Sequence, residues 1–328
     1  MKRFAAYLIL CLLLGACAAP EAAPDPYPYN LPTLPPHLNL DEGGRPLLAV
    51  YVAEENIVRE MDVETYVTGV VAGEIPNDWP LEALKAQAIL ARTFVMRFVS
   101  ERKSRYEGAD ISTDIAEAQA YNRGRINDRV RQAVRETAGQ VLVTPSGSLP
   151  YTWFHAHAGG ITALAKEGLD WQEAEPAYTK VVPGLESDAA PASAKALKAA
   201  FSRKDFLAAC RRAGAKLETI TDVAITEKGP SGRAVILTVD GVAINAARLR
   251  LELGSTVMRS TLLTELEYDG QTITMAGKGY GHGVGMPQWG AYALAMDGKT
   301  GIEIALHYYD GLEVAQLWDD AAAGDQAL

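Results

Sequence analysis

The chain has 328 residues, 48% of them hydrophobic, and a formal net charge of −10. That much apolar material fills a sizeable core, in one large domain or two small ones. The acidic balance excludes a broadly basic nucleic-acid-binding face, so any grip on an anionic polymer has to come from a local cationic groove.

Lys2 and Arg3 precede an apolar run over residues 4–14, too short to span a bilayer as a helix but of the length of a signal-peptide core. The stretch LGAC at 14–17 resembles a bacterial lipobox. It implies a signal over residues 1–17 and a mature chain starting at a lipidated Cys17, held at a membrane by two or three acyl chains. The competing expectation is ordinary secretory cleavage after Ala19. Of the three cysteines, Cys11 lies in the signal and Cys17 carries lipid, which leaves Cys210 as a small core residue and no intrachain disulfide framework. Seven prolines between 18 and 40 make residues 18–45 an extended tether. At about 3.1 Å per residue, some twenty residues of it reach roughly 60 Å.

Residues 46–58 alternate loosely and read as a first strand or strand pair. A helix follows over 63–72, with Asp62 as N-cap and Gly73 as its stop. Glu74 comes next. It faces the negative end of the helix dipole and has Val71, Ile75 and Trp79 to desolvate it; both effects favour the protonated carboxyl that a general acid needs. Residues 81–99 then run without a breaker as a second helix, with Asp78 as cap and Pro80 in the first turn, apolar nearly all round and therefore central. Lys85 and Arg92, seven residues apart, share one face of it and are placed to floor a groove.

Beyond it stand DISTDIAEAQAYNRG at 110–124, with Gln119 and Tyr121, a helix over 127–137 stopped by Gly139, and a strand over 140–144. Residues 150–163 form a strand and a glycine turn, on which His155 and His157 share a face. With His282 they would make a metal site, but the expected roles are one histidine in the groove and the other hydrogen-bonded behind it. Residues 186–254 read as a flanking subdomain without chemistry: a helix over 203–213, strands over 219–226 and 234–239, and a hairpin turn at Asp240 and Gly241. Between 277 and 290 six glycines alternate with Tyr280, His282, Met286, Gln288 and Trp289, without either phosphate-loop pattern. Such a loop allows close backbone approach, to a sugar ring stacking on the aromatics or to the central helix. Helices over 287–296 and 301–309 and a polar tail over 319–328 complete the chain.

Three islands in these stretches carry a family resemblance. Residues 64–93 (ETYVTGVVAGEIPNDWPLEALKAQAILART), FHAHAGGITA at 154–163, and GKGYGHGVGMPQWGAYALAMDG at 277–298 with HYYDG at 307–311 resemble the SpoIID/LytB family. The resemblance covers most of residues 50–317 and implies a bacterial cell-wall protein acting on peptidoglycan glycan strands as a lytic transglycosylase that prefers strands stripped of peptides. It puts the catalytic acid on Glu74 and groove residues on Lys85 and Arg92, and matches Gln119 and Tyr121 to the family's Gln-x-Tyr element. Some relatives carry a cysteine and histidine metal site just before that element; residues 110–121 hold neither, so no metal and no cofactor is expected.

The expected fold is α+β, one domain over 46–318 built around the long helix. The expected site is Glu74 with Lys85, Arg92, Gln119, Tyr121, His155, His157, Tyr280, His282, Gln288 and Trp289. The expected reaction cleaves the bond between N-acetylmuramic acid and N-acetylglucosamine and leaves 1,6-anhydro ends. A hydrolase would want a second carboxylate, for which Asp78 and Asp114 are the available residues. The alternatives are a non-catalytic glycan-binding enhancer of an N-acetylmuramoyl-L-alanine amidase and a metal-dependent wall hydrolase using His155, His157 and His282. The expected address is the cell envelope, through a lipid anchor.

Overall fold

The computed structural model describes residues 31–318; the signal, Cys17, the first part of the tether and the polar tail lie outside them. The fold is α+β. The chain opens with the antiparallel hairpin β1 (Leu47–Val52) and β2 (Ile57–Asp62), joined on its β1 edge by β3 (Ile111–Ser112) in parallel. Asp62 caps α1 (Val63–Glu74) by accepting from the Glu64 and Thr65 backbones, and α2 (Leu81–Glu101) follows. Pro80, not Asp78, is the N-cap residue of α2, without a side-chain bond. Next come α3 (Asp128–Glu136) and β4 (Gln140–Val143).

α2 lies at the centre of the larger core, packed by α1, α3 and β4 and, from the far end of the chain, by α8 (Gln288–Met296) and α9 (Gly301–His307). Buried Ala83, Ala86, Ala88 and Ala91 let these helices come close. β13 (Glu313–Gln316) pairs antiparallel with β4, so the end of the described chain closes the first half. Among the described residues no helix is long and apolar enough to cross a membrane.

Part of the expected tether belongs to the domain. Leu38 is a core member, Leu34 packs against that core, and Leu40 bridges to Pro46. The apolar residues scattered among the prolines find a hydrophobic surface, and burial overrides the extended preference.

After β5 (Phe154–His155) and the short α4 (Ala165–Gly168), α5 (Ala192–Lys195) leads into a second core formed from β6 (Ala196–Ser202), α6 (Arg203–Arg212), β7 (Val223–Lys228), β8 (Ala234–Val239), β9 (Val242–Asn245), α7 (Ala246–Glu252), β10 (Leu263–Tyr268) and β11 (Thr272–Lys278). It holds two sheets, β7-β8-β9 and β10-β11-β6. The subdomain thus runs to about residue 278 instead of 254, because β11 pairs with β6 over the full length of both. Asp240 and Gly241 form the β8–β9 turn with φ of 47° and 81°, and Cys210 is a buried free thiol. β12 (Met286–Pro287) then pairs in parallel with β5 and returns the chain to the first core.

Candidate active site

Glu74 sits in the last turn of α1, one residue later than the expected stop at Gly73. Its carboxyl is half-buried, and burial raises its pKa from an ordinary 4.5 to about 7, against the opposing pull of one hydrogen bond: Ala120 N donates to Oε1 at 2.7 Å. That bond depends on two glycines of α1. A Cβ on Gly69 would sit inside the Tyr121 ring, and one on Gly73 would lie 2.6 Å from Ala120 O. Only bare backbone lets the 119–122 segment lie on the helix, where Asn122 N also bonds Gly69 O at 2.9 Å. The sequence reading took Gly73 only as a helix stop and missed Gly69. The signal was present as two glycines four residues apart, on one helical face.

From the other side, Gln288 at the start of α8 donates to Glu74 O at 3.0 Å and to Gln87 Oε1 at 3.3 Å. It satisfies a C-terminal carbonyl of α1 that has no partner within the helix. Trp289, half-buried, packs with Trp79 at 4.6 Å between ring centroids and with Tyr292 at 5.3 Å. Trp79 follows Glu74 by five residues and Trp289 follows Gln288 directly, so the aromatic cluster is linked through the chain to the acid and to the residue that holds its carbonyl. Gln119 is buried with neither end of its amide partnered. Tyr121 packs on Tyr66 and borders a cavity of about 260 Å³ with Thr65 and Arg123.

The two cations of α2 are not groove residues in this structure. Arg92 is 0% exposed and holds Glu64 through Nε at 2.9 Å and Nη2 at 2.6 Å, while Nη1 donates to Gln140 O at 3.0 Å. Gly139 N and Trp318 Nε1 complete the shell of Glu64. Lys85 bridges Glu82 at 2.7 Å and Glu136 at 2.6 Å. Burial pulls its pKa down, yet the two carboxylates outweigh that and hold it above the ordinary value. The seven-residue spacing put both on one face correctly; that face meets α3 and β4 for Arg92, and Glu136 of α3 for Lys85.

The histidines form a separate group, tied to the first by the β5–β12 pair and by Trp289 N donating to Ala156 O at 3.1 Å. His155 Nδ1 bonds Val284 O at 3.2 Å, His282 Nδ1 accepts from Val284 N at 3.0 Å, and His157 Nδ1 accepts from Gly159 N at 2.9 Å. Burial lowers the pKa of all three, to about 3 for His282, so each is neutral and engaged with backbone. Glu186 lies 3.3 Å from His157 Nδ1, but that nitrogen is already an acceptor; the carboxylate instead accepts from Ala158 N at 2.5 Å. Among the described residues no group of three or more His, Cys, Asp or Glu is arranged to hold a metal ion.

Tyr280 exchanges two backbone bonds with His157 and faces Arg259. Three of the glycines pack on this strand and not on the central helix: a Cβ would lie 2.8 Å from His157 O at Gly279 (φ 85°) and 2.5 Å from His155 Cβ at Gly281 (φ 120°), and at Gly285 (φ 70°) it would collide with Trp153 O.

A family model described as stage II sporulation protein (SpoIID) matches residues 51–143, which hold Glu74, Gln119 and Tyr121, and a domain of unknown function (DUF8618) matches 191–285, close to the second core. The chain is 30% identical over 285 residues to stage II sporulation protein D of Bacillus amyloliquefaciens, covering 81% of this chain and 78% of that one. The Bacillus subtilis (strain 168) protein of the same name is also 30% identical, with 82% and 79% covered. An amidase enhancer of Bacillus subtilis (strain 168) is 28% identical over 288 residues, 74% of this chain and 39% of that longer one. By the extent and level of these matches, the chain belongs to the SpoIID family, the same one that contains the amidase enhancer LytB.

Proposed function

We propose that the chain is a lytic transglycosylase of peptidoglycan glycan strands, with Glu74 as its one acid and base. The observation that carries this is the Glu74 carboxyl, with a pKa near 7 and one oxygen fixed by Ala120 N. With Oε1 held, Oε2 is left to carry the proton. It goes to the oxygen linking N-acetylmuramic acid to N-acetylglucosamine as the bond from C1 breaks. The resulting carboxylate takes the proton of the muramyl C6 hydroxyl, whose oxygen bonds C1 and closes the 1,6-anhydro ring. The nucleophile belongs to the sugar, so no second carboxylate is needed. That agrees with Asp114, which is bound to Tyr106 Oη and Ala116 N and pulled below the ordinary carboxylate range by those bonds.

Trp289, with Trp79 and Tyr292, offers a face for sugar rings, and Gln119, Tyr121 and Gln288 supply polar groups around the acid. Peptide-stripped strands are the proposed substrate. Lipidation of Cys17 would hold the domain in the cell envelope, on the periplasmic side of an outer membrane where there is one.

The similarity to an amidase enhancer favours a second reading, in which the same surface binds strands and stimulates an N-acetylmuramoyl-L-alanine amidase without cleaving. Mass spectrometry of amidase-treated strands after incubation separates the two. Products with 1,6-anhydromuramic ends, lost in Glu74→Gln by a factor of about 10² to 10⁴, support the enzyme. No cleavage by either protein, with both stimulating an amidase, supports the enhancer.

A further inference from the structure

The turn between β7 and β8 carries the second core into the histidine group. Gly229 N and Gly232 N close this turn by bonding Arg233 O and Gly229 O, each at 2.9 Å. Ser231 and Arg233 on it are 7% and 0% exposed. Both are tied to the buried Glu167 of α4, whose Oε1 accepts from Ser231 N at 3.0 Å, from Arg233 N at 3.2 Å and from the Ser231 hydroxyl.

The Arg233 guanidinium then joins two chain segments. Nη1 donates to Ile161 O at 3.0 Å and to Ser231 Oγ at 2.7 Å, and Nη2 donates to Ala158 O at 2.5 Å, so its edge grips both sides of the glycine turn at 159–160. Its face lies on Gly283 (φ 87°), where a Cβ would be 2.5 Å from both Nε and Nη2. Burial lowers its pKa to about 10, against the pull of Glu167 and Glu186, so the group is charged at neutral pH. If joining the two units were all that was needed, a well-packed apolar side chain would serve as well as a buried ion. A planar group with donors on its edge does something further: it fixes one segment by direction and the other by contact.

The second of those segments leads to the acid. Three residues past Gly283 the chain enters β12, which pairs with β5, and the next residue after that strand is Gln288, the donor to Glu74 O and Gln87 Oε1. We propose that Arg233 is a positioning residue for the acid: it fixes the glycine loop against the turn at 158–161, which sets where β12 delivers Gln288, and Gln288 holds the last turn of α1 with Glu74 on it. The second unit is then part of what sets the acid and not a scaffold beside it. The inference rests on Glu74 as the acid but not on cleavage.

The test reads the Glu74 carboxyl directly, by carbon-13 NMR titration of the protein without substrate, with the Glu74→Gln spectrum assigning the signal. Loosening the end of α1 lets water reach the carboxyl. Its midpoint should fall from about 7 by about one unit in Gln288→Ala, and equally in Arg233→Lys, which keeps the charge but has neither fork nor face. The double variant should fall no further, because both changes act on one contact. Ser231→Ala, which removes the hydroxyl between Arg233 and Glu167, should shift the midpoint the same way by less, and it carries the test if Arg233→Lys fails to fold. Phe206→Leu, in the second core on α6, should lower the melting temperature without moving the midpoint. A midpoint unmoved in Gln288→Ala or in the folded turn variant, shifts that add in the double variant, or an equal shift in Phe206→Leu overturns the proposal. The expected shifts without any anhydro products would sink the enzyme reading alone.

Discussion

Replacing Glu74 by glutamine should make the protein more stable, and by an amount that depends on pH. Burial raises the carboxyl from 4.5 to about 7. Below about pH 4.5 the group is protonated in both folded and unfolded chains. Between 4.5 and 7 the folded chain keeps a proton that the unfolded chain releases, so stability present at low pH is lost as pH rises through this window. At about 1.4 kcal/mol per unit, the loss is at most about 3 kcal/mol, complete above pH 7. Glutamine keeps the shape and the acceptor for Ala120 N but carries no charge at any pH. Urea unfolding of parent and variant at pH 4.5 and pH 8 should therefore give nearly equal stabilities at the lower pH and a variant ahead by up to about 3 kcal/mol at the higher. All other titrating groups cancel in that difference. A gap of the same size at both pH values would refute the buried-acid account of Glu74. The same rise predicts that kcat/KM of the parent falls about tenfold per unit above pH 7.

Arg92→Ala strands Glu64 in the core and should lower stability by about 3 to 5 kcal/mol, read as a drop in melting temperature, with Glu64→Gln restoring part of it. Gly73→Ala pushes a methyl against Ala120 O, which loosens the Ala120 N bond that lowers the Glu74 pKa but also admits water to the carboxyl; burial is the larger effect, so the pKa should fall, and the midpoint of the pH–activity curve reads it. Trp289→Ala should weaken strand binding by about 1 kcal/mol in a pull-down with purified strands, with little change in fold. Cys17→Ser should leave the mature N-terminus without lipid in mass spectrometry and release the protein from membranes.

What the sequence made legible was local. Asp62 as a cap and Asp240-Gly241 as a hairpin turn are decided by residues within reach of one another, and both stand in the structure as expected. Glu74 could be singled out because apolar residues that favour its burial, the cause of its raised pKa, are adjacent in the chain. Arg92 was misjudged because spacing tells which face a side chain is on and not what covers that face; its partner Glu64 is 28 residues away. The subdomain boundary failed likewise, since β11 finds its partner in β6, far back in the sequence. Glycine was read as a breaker at Gly73, where the decisive fact is an approaching segment some fifty residues later.

The pairing of β13 with β4 sets an order of events. Trp318 reaches Glu64 across 254 residues, and Gln316 pairs with Gln140. The buried ion pair beside α2 thus lacks part of its shell until nearly all the described chain exists, while the second core draws on residues from Leu197 to Met275 alone. During synthesis the inserted unit can form first, and the domain that carries Glu74 closes afterwards, slowly, because its contacts are so distant in sequence. A chain shortened before Glu313 would keep every residue proposed for the chemistry and still leave β4 an open edge, a ready template for pairing with another chain.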